Sequence, residues 1–188
     1  MPTNLLWTGI EYHSMENCFI DVSPTGAKVT STIIGYYDNK IYKVTYRIIT
    51  NQNWETVFIE INTRHSNENR VMQFEGDGKG NWTNGGIKID FLAGCIDVDI
   101  PLTPFTNTLP IRRLDLKGNE TADIQVIYFD ILNHQIKPVP QRYTRISSTE
   151  YHYQNVVDDF EAKIKVDDAG FVVDYPALFT RTAAEFAE

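Results

Sequence analysis

Apolar and polar residues alternate with a period of two along most of the chain, which predicts half-buried strands. Val44, Tyr46 and Ile48 alternate with Lys43, Thr45 and Arg47. Val57, Ile59 and Ile61 alternate with Phe58, Glu60 and Asn62, and Ile87, Ile89 and Phe91 with Lys88 and Asp90. Ala162, Ile164 and Val166 alternate with Lys163, Lys165 and Asp167. Between Ile124, Val126 and Tyr128 stand Gln125, Ile127 and Phe129, so this strand is expected to be covered on both faces.

Turn residues punctuate these runs. They are Asp38-Asn39, Asn51-Gln52-Asn53, Ser66-Asn67-Glu68-Asn69, Asp77-Gly78 with Gly80, Asn84-Gly85-Gly86, Gly118-Asn119 and Asp168-Ala169-Gly170. Asn, Asp and Gly tolerate the positive φ of tight hairpins. Such short spacing leaves no room for crossover helices and favours an antiparallel meander. Residues 135–145 hold Pro138 and Pro140 and cannot be central along their whole length, because proline donates no ladder hydrogen bond. From Pro176 to Glu188 the spacing of Leu178, Ala183 and Phe186 predicts a short C-terminal helix. The expected fold is all-β: one domain over residues 1–188, built on a large curved antiparallel sheet or half-open barrel with that helix at its end.

A chain of 188 residues buries about 70% of its unfolded surface, enough for a core without staples. Its net charge of −8 argues against nucleic acid and against an anionic membrane surface, both of which need a basic face. Cys18 and Cys95, far apart, form no zinc spacing and no disulfide framework, and are expected as reduced thiols. The first residues lack the basic and apolar regions of a signal peptide, and no apolar run is long enough to span a membrane. A cytoplasmic protein without membrane insertion is expected. The sequence says nothing of oligomeric state.

The densest chemistry lies between Cys95 and Leu116. With residues 96–100 in a strand, Asp97 and Asp99 share one face, their Cα atoms about 7 Å apart by the ~3.3 Å rise per residue. Such a pair suits acid/base work, or a network in which both accept hydrogen bonds. Pro101, Pro104 and Pro110 predict a stiff, irregular loop displaying Thr106, Asn107 and Thr108. Hydroxyls and an amide bind sugars or lipid headgroups without charge, or satisfy the loop's own backbone. A second strand is expected over 111–116, with Arg112 and Arg113 on opposite faces. One guanidinium then faces the apolar side and needs a carboxylate, which predicts a bidentate pair with Asp97 or Asp99.

Gln141, Arg142, Tyr143, Thr144 and Arg145 form a second polar cluster, whose Arg142 and Arg145 meet an anionic headgroup or, as the favoured reading, offset surface acids. Trp7, Trp54 and Trp82 are expected as core anchors more than as stacking platforms for sugars. Tyr151 and Tyr153 share a strand face and line a cavity or cross-pair with neighbours. The four histidines have no metal-ligand spacing, and there is no nucleophile elbow, Walker sequence or dinucleotide fingerprint, so no metal or cofactor is expected. Residues 76–80 are glycine-rich but read as a hairpin turn.

The run from Asp97 to Leu114, D-V-D-I-P-L-T-P-F-T-N-T-L-P-I-R-R-L, resembles the signature block of a bacterial family named for putative glycolipid binding. Its members were first grouped as a domain of unknown function. Gln141-Arg142-Tyr143-Thr144, the Tyr151-Tyr153 pair, Val166-Asp167 with Gly170, Tyr175-Pro176 and the early Trp7 and Glu11 are also similar. The resemblance spans nearly the whole chain. It implies a fold like that of lipoprotein and glycolipid carriers, with an apolar concave face and ligand binding without chemistry. On that reading a small glycolipid-like amphiphile sits with its acyl part on the apolar face. Its head meets Asp97, Asp99, Thr106, Asn107, Thr108, Arg112, Arg113, Gln141, Arg142 and Tyr143. Two alternatives stand beside it: an enzyme using the Asp97/Asp99 pair, and a structural protein in which the block only locks the sheet.

Overall fold

The computed structural model describes residues 2–66 and 68–186. The chain forms β1 (Pro2–Gly9), β2 (Ser14–Ser23), β3 (Gly26–Tyr37), β4 (Lys40–Thr50), β5 (Thr56–His65), β6 (Glu68–Gly76), β7 (Trp82–Asn84) and β8 (Ile87–Lys88). A central segment carries β9 (Asp97–Asp99) and one helix, α1 (Thr108–Leu114). Then follow β10 (Thr121–Asp130), β11 (Gln135–Arg145), β12 (Glu150–Asn155), β13 (Phe160–Val166), β14 (Val172–Tyr175) and β15 (Phe179–Phe186).

All fifteen strands lie in one sheet, ordered β8-β7-β6-β5-β4-β3-β2-β1-β15-β14-β13-β12-β11-β10-β9. Each half is a meander, and the two are joined where β15 pairs antiparallel with β1. The alternating runs fall where expected: Val44, Tyr46 and Ile48 of β4, Ile59 and Ile61 of β5, and Ile164 and Val166 of β13 are buried. In β10, Val126 is buried on one face and Ile127 and Phe129 on the other. Strand β11 pairs with β10 along its full length but with β12 only from Gln141 to Arg145. Its two prolines thus sit where one side of the ladder is open. Of the expected turn at 66–69, Asn67 lies outside the described residues.

The sheet curls without closing into a barrel. Its arms meet through side chains, with Phe74 of β6 and Phe129 of β10 at 5.6 Å between ring centres and His65 and His134 at 6.4 Å. After β8 the chain crosses from one edge of the sheet to the other. The apolar residues of this crossing (Leu92, Cys95, Val98, Ile100, Leu102, Phe105 and Leu109) pack in one core with Leu5, Ile20, Ile33 and Ile48. The chain therefore fills much of its own concave face.

Four expectations are corrected. The sheet is mixed, because the short edge strand β9 runs parallel to β10. The helix is central, at residues 108–114; the C-terminal stretch is β15 as far as Phe186, with Ala187 and Glu188 outside the described residues. Its register with β1 overrides a weak helical stripe, since β1 would otherwise present an unpaired edge. The run from Ile87 to Phe91 is only a two-residue strand followed by a 3₁₀ turn at 90–92, with Ile87 and Phe91 exposed. Residues 103–114, read as a loop and a strand, are a 3₁₀ turn continued by α1. Pro110 lies in the first helical turn, where its missing N–H costs nothing, and the helix stops at Asp115 with φ 42°. No helix among the described residues is long and apolar enough to cross a membrane.

Candidate functional site

The signature block holds its two aspartates in different settings. Asp97 is fully buried and forms a bidentate pair with Arg113: Nε donates at 3.1 Å and Nη2 at 2.6 Å. The expected Asp–Arg pair thus exists, with the arginine projecting from a helix rather than a strand. Burial pushes the Asp97 carboxyl up, and the hydrogen bonds and charge of Arg113 oppose that rise. Asp99 is half-buried. Its Oδ1 accepts from Thr106 Oγ1 at 3.1 Å and its Oδ2 from Gln141 Nε2 at 2.7 Å. Burial raises its pKa, against those two hydrogen bonds.

The loop thought to display Thr106, Asn107 and Thr108 instead buries all three. Thr106 ties Asp99 to the backbone N–H of Ile100. Asn107 Nδ2 donates to Pro104 O, and its Oδ1 accepts from the Tyr143 hydroxyl at 2.9 Å. Thr108 Oγ1 is buried with no hydrogen-bond partner among the described residues. The physical reason is where the helical turn lies: its side chains radiate from the helix axis, and with Phe105 and Leu109 packed in the core the turn is surrounded by protein on the concave face. Arg142 is exposed and pairs with Asp123 on the outer face, so it stays apart from the other polar residues of the block.

Asp99 forms part of the wall of a cleft of about 210 Å³, together with Glu11, Tyr12, Asn107, Tyr128, Tyr153, Asn155, Asp158, Phe160 and Tyr175. Six strands converge here, β9, β10, β12, β13, β14 and β15, with the 3₁₀ turn before α1 and the β1–β2, β12–β13 and β14–β15 turns. Tyr128, Tyr153 and Tyr175 all have raised pKa values, first from burial and next from the negative charge of Asp99. They therefore stay protonated as donors. Their hydroxyls make no hydrogen bond among the described residues, and Tyr153 and Tyr175 are each only 5% exposed. Tyr153 is fixed edge-on against Tyr143 at 5.2 Å and Tyr175 at 6.1 Å. Exposed apolar residues Ile10, Val156 and Val157 stand in the turns beside this cleft.

Of the residues the sequence singled out, Asp99, Asn107 and Tyr153 line this cleft; it did not point to Tyr128, Asn155 and Asp158 as cleft residues, which strand pairing and the β12–β13 turn bring together. It also missed Glu16. This glutamate is buried on the apolar face of β2, where it accepts from Ser31 and Tyr46 at 2.7 Å each. Burial pushes its carboxyl up to about 7. The signal was available, since Glu16 interrupts the inward series Ser14, Cys18, Ile20. Trp7 and Trp82 are the expected core anchors, donating to Val172 O and Cys95 O. Trp54, also buried, lies beneath the Arg112 guanidinium. Among the described residues no cluster of His, Cys, Asp and Glu is arranged to hold a metal ion.

No curated protein matches this chain. Its fold is similar to that of a DUF1089 family protein from Pseudomonas aeruginosa, known from a crystal structure. The two superpose with a TM-score of 0.82 at 30% identity, over 89% of this chain and 91% of the other. Residues 4–181 match the family described as "Putative glycolipid-binding", and the chain belongs to that family.

Proposed function

We propose that the chain, acting as one unit over residues 1–188, binds an amphiphile and takes its sugar head into the Asp99 cleft. The observation that carries this reading is the ring of tyrosine hydroxyls around one carboxylate. Asp99 spends one lone pair of each oxygen on Thr106 and Gln141, leaving one on each for a ligand hydroxyl. Tyr128, Tyr153 and Tyr175 supply donors that nothing else uses, and aromatic faces for the apolar side of a pyranose. The cleft's volume of about 210 Å³ is below the roughly 300–1,000 Å³ of sites that enclose a drug-sized ligand, so it takes a sugar-sized group and leaves an acyl chain outside. The tail would then lie outside, against Ile10, Val156 and Val157. Residues around the cleft act through Asp99 or hold the fold: Gln141 and Thr106 orient it, Asn107 and Tyr143 brace the wall, and Asp97 with Arg113 anchors β9 to α1. Two unpaired thiols suit a reducing compartment, and we infer a cytoplasmic setting.

The test is titration with octyl glucoside below its micelle concentration, with octyl tetraethylene glycol as the same tail without a sugar. The sugar form should bind at least tenfold tighter, and Asp99→Asn should remove that preference. Equal affinity of both probes would refute the reading. A second reading, an enzyme, draws on one feature: Asp99 faces the cleft with a raised pKa. It would have to work without Asp97, which is held by Arg113 and does not line the cleft. Release of free sugar from the glucoside, lost in Asp99→Asn, would favour it.

A further inference from the structure

At the opposite end of the sheet from the Asp99 cleft lies a second, differently charged site. The Asp99 cleft begins just past the end of β1, whereas this site includes Pro2 and Thr3 at its start, about 25 Å away at ~3.3 Å per residue. Two depressions meet there. One is an apolar groove of about 490 Å³ with Val22, Phe171 and Phe186 among its walls. The other is a cleft of about 390 Å³ that includes Trp54, Arg145 and Tyr151. Arg112 and Ala169 line both, so the two adjoin at Arg112.

Arg112 is held on three sides. Its guanidinium carbon lies 4.6 Å from the centre of the Trp54 ring, and Nη1 donates to Ala169 O at 2.7 Å. Its stem rests on Gly170, where an added Cβ would come within 3.0 Å of Arg112 Cδ. That hydrogen bond uses one of its five N–H donors. Arg145 is held in the same manner, donating to Leu116 O and Ser147 O with its guanidinium carbon 5.8 Å from the Tyr151 ring centre. Neither arginine forms an ion pair among the described residues. Asp115 and Asp167 lie near enough for their charge to favour the charged form of Arg112, but neither hydrogen-bonds to its guanidinium. Asp115 pairs with Lys117 and Asp167 with Arg181, which leaves Asp168 as the one cleft acid without a cation among the described residues. A half-buried guanidinium held rigidly without an acid partner is a site suited to a planar or tetrahedral anion. The groove beside it has apolar walls and, at about 490 Å³, the volume for an alkyl chain.

We propose that this end binds a single-chain anionic amphiphile. The anionic head lies on Arg112 and Arg145, and the chain runs along Val22, Phe171 and Phe186. The head is a carboxylate, as in a fatty acid, or a phosphate monoester, and the site's chemistry is common to both. This site is independent of the Asp99 cleft, so either can fail without the other.

The experiment is calorimetric titration of the full chain with dodecanoate, dodecyl phosphate and dodecanol, each below its aggregation limit. At least one anion should bind at least tenfold tighter than dodecanol, and the tighter anion identifies the head. Arg112→Gln should weaken that anion at least tenfold, Arg145→Gln several-fold, and Phe186→Ala several-fold for anion and alcohol alike. Should Arg112→Gln fail to fold, Arg112→Lys replaces it: it keeps the charge but loses the fork and the ring stacking, and should weaken binding several-fold. Asp99→Asn should leave anion binding unchanged. Dodecanol binding as tightly as both anions, or anion affinity indifferent to Arg112 while melting temperature falls, would overturn the proposal and leave Arg112 a structural clamp. Absence of binding by every probe would overturn it as well.

Discussion

The two arms of the sheet enclose cores of different kinds. Around β1 to β6 the core is mainly aliphatic and is filled by the chain's own crossing segment, from Leu92 to Leu109. Around β11 to β15 it is rich in tyrosine: Tyr143, Tyr151, Tyr153 and Tyr175, with Ile111 and Leu116 from the crossing segment. Tyr153 and Tyr175 line the cleft at one end, and Tyr151 the cleft at the other. The first core spends its apolar surface on stability. The second keeps amphipathic side chains whose rings pack while Tyr151, Tyr153 and Tyr175 also line clefts and Tyr143 bonds to Asn107. Sugar binding in the Asp99 cleft is therefore expected of the tyrosine-rich arm and resistance to unfolding mainly of the aliphatic one, while the Arg112 site lies where the two meet.

The largest test of that division acts on the pair that ties the crossing segment together. Arg113→Leu leaves Asp97 buried without a partner and should lower stability by about 3–5 kcal/mol in urea titration. Loss in a single transition would show the two cores to be coupled; two separated transitions would show them to be independent units.

Glu16 tests the aliphatic arm alone. Its carboxyl is pushed from an ordinary value of 4.5 up to about 7 by burial. A raised carboxyl pKa favours the protonated folded form, so stability is fully present below pH 4.5, falls as pH rises towards 7 and levels off above it. The full effect is roughly 3 kcal/mol, since each tenfold change in proton affinity is worth about 1.4 kcal/mol. Glu16→Gln should flatten this part of the stability–pH curve and melt higher than the parent at pH 8. An unchanged slope would show that Glu16 does not carry it.

In the tyrosine-rich arm a smaller effect is expected. Tyr143→Phe removes the hydrogen bond to Asn107 Oδ1 while keeping the ring, and should cost about 1–2 kcal/mol. If it weakens octyl glucoside binding more than it lowers the melting temperature, the wall braced by Asn107 is part of the recognition site.

Much of the fold was legible because a strand records its burial in a two-residue period and a tight turn in its Asn, Asp and Gly. The open ladder beside Pro138 and Pro140 could be read from proline chemistry alone. The Asp–Arg pair was legible in kind, since a buried guanidinium demands a carboxylate. Its identity as Asp97 with Arg113 was not, because α1 turns neighbouring arginines about 100° apart. That rotation sends Arg113 to Asp97 and Arg112 to Trp54.

The sequence by itself determined the β-meander, the positions of its turns, the presence of a polar block and the kind of pairing it needed. Only the tertiary structure decided that the block crosses the concave face, that Thr106, Asn107 and Thr108 turn inward, and that the last strand completes the sheet beside β1. These are long-range choices. A seven-residue helix and a solitary edge strand have little local preference, so the partner across the sheet, which no local pattern records, sets their form.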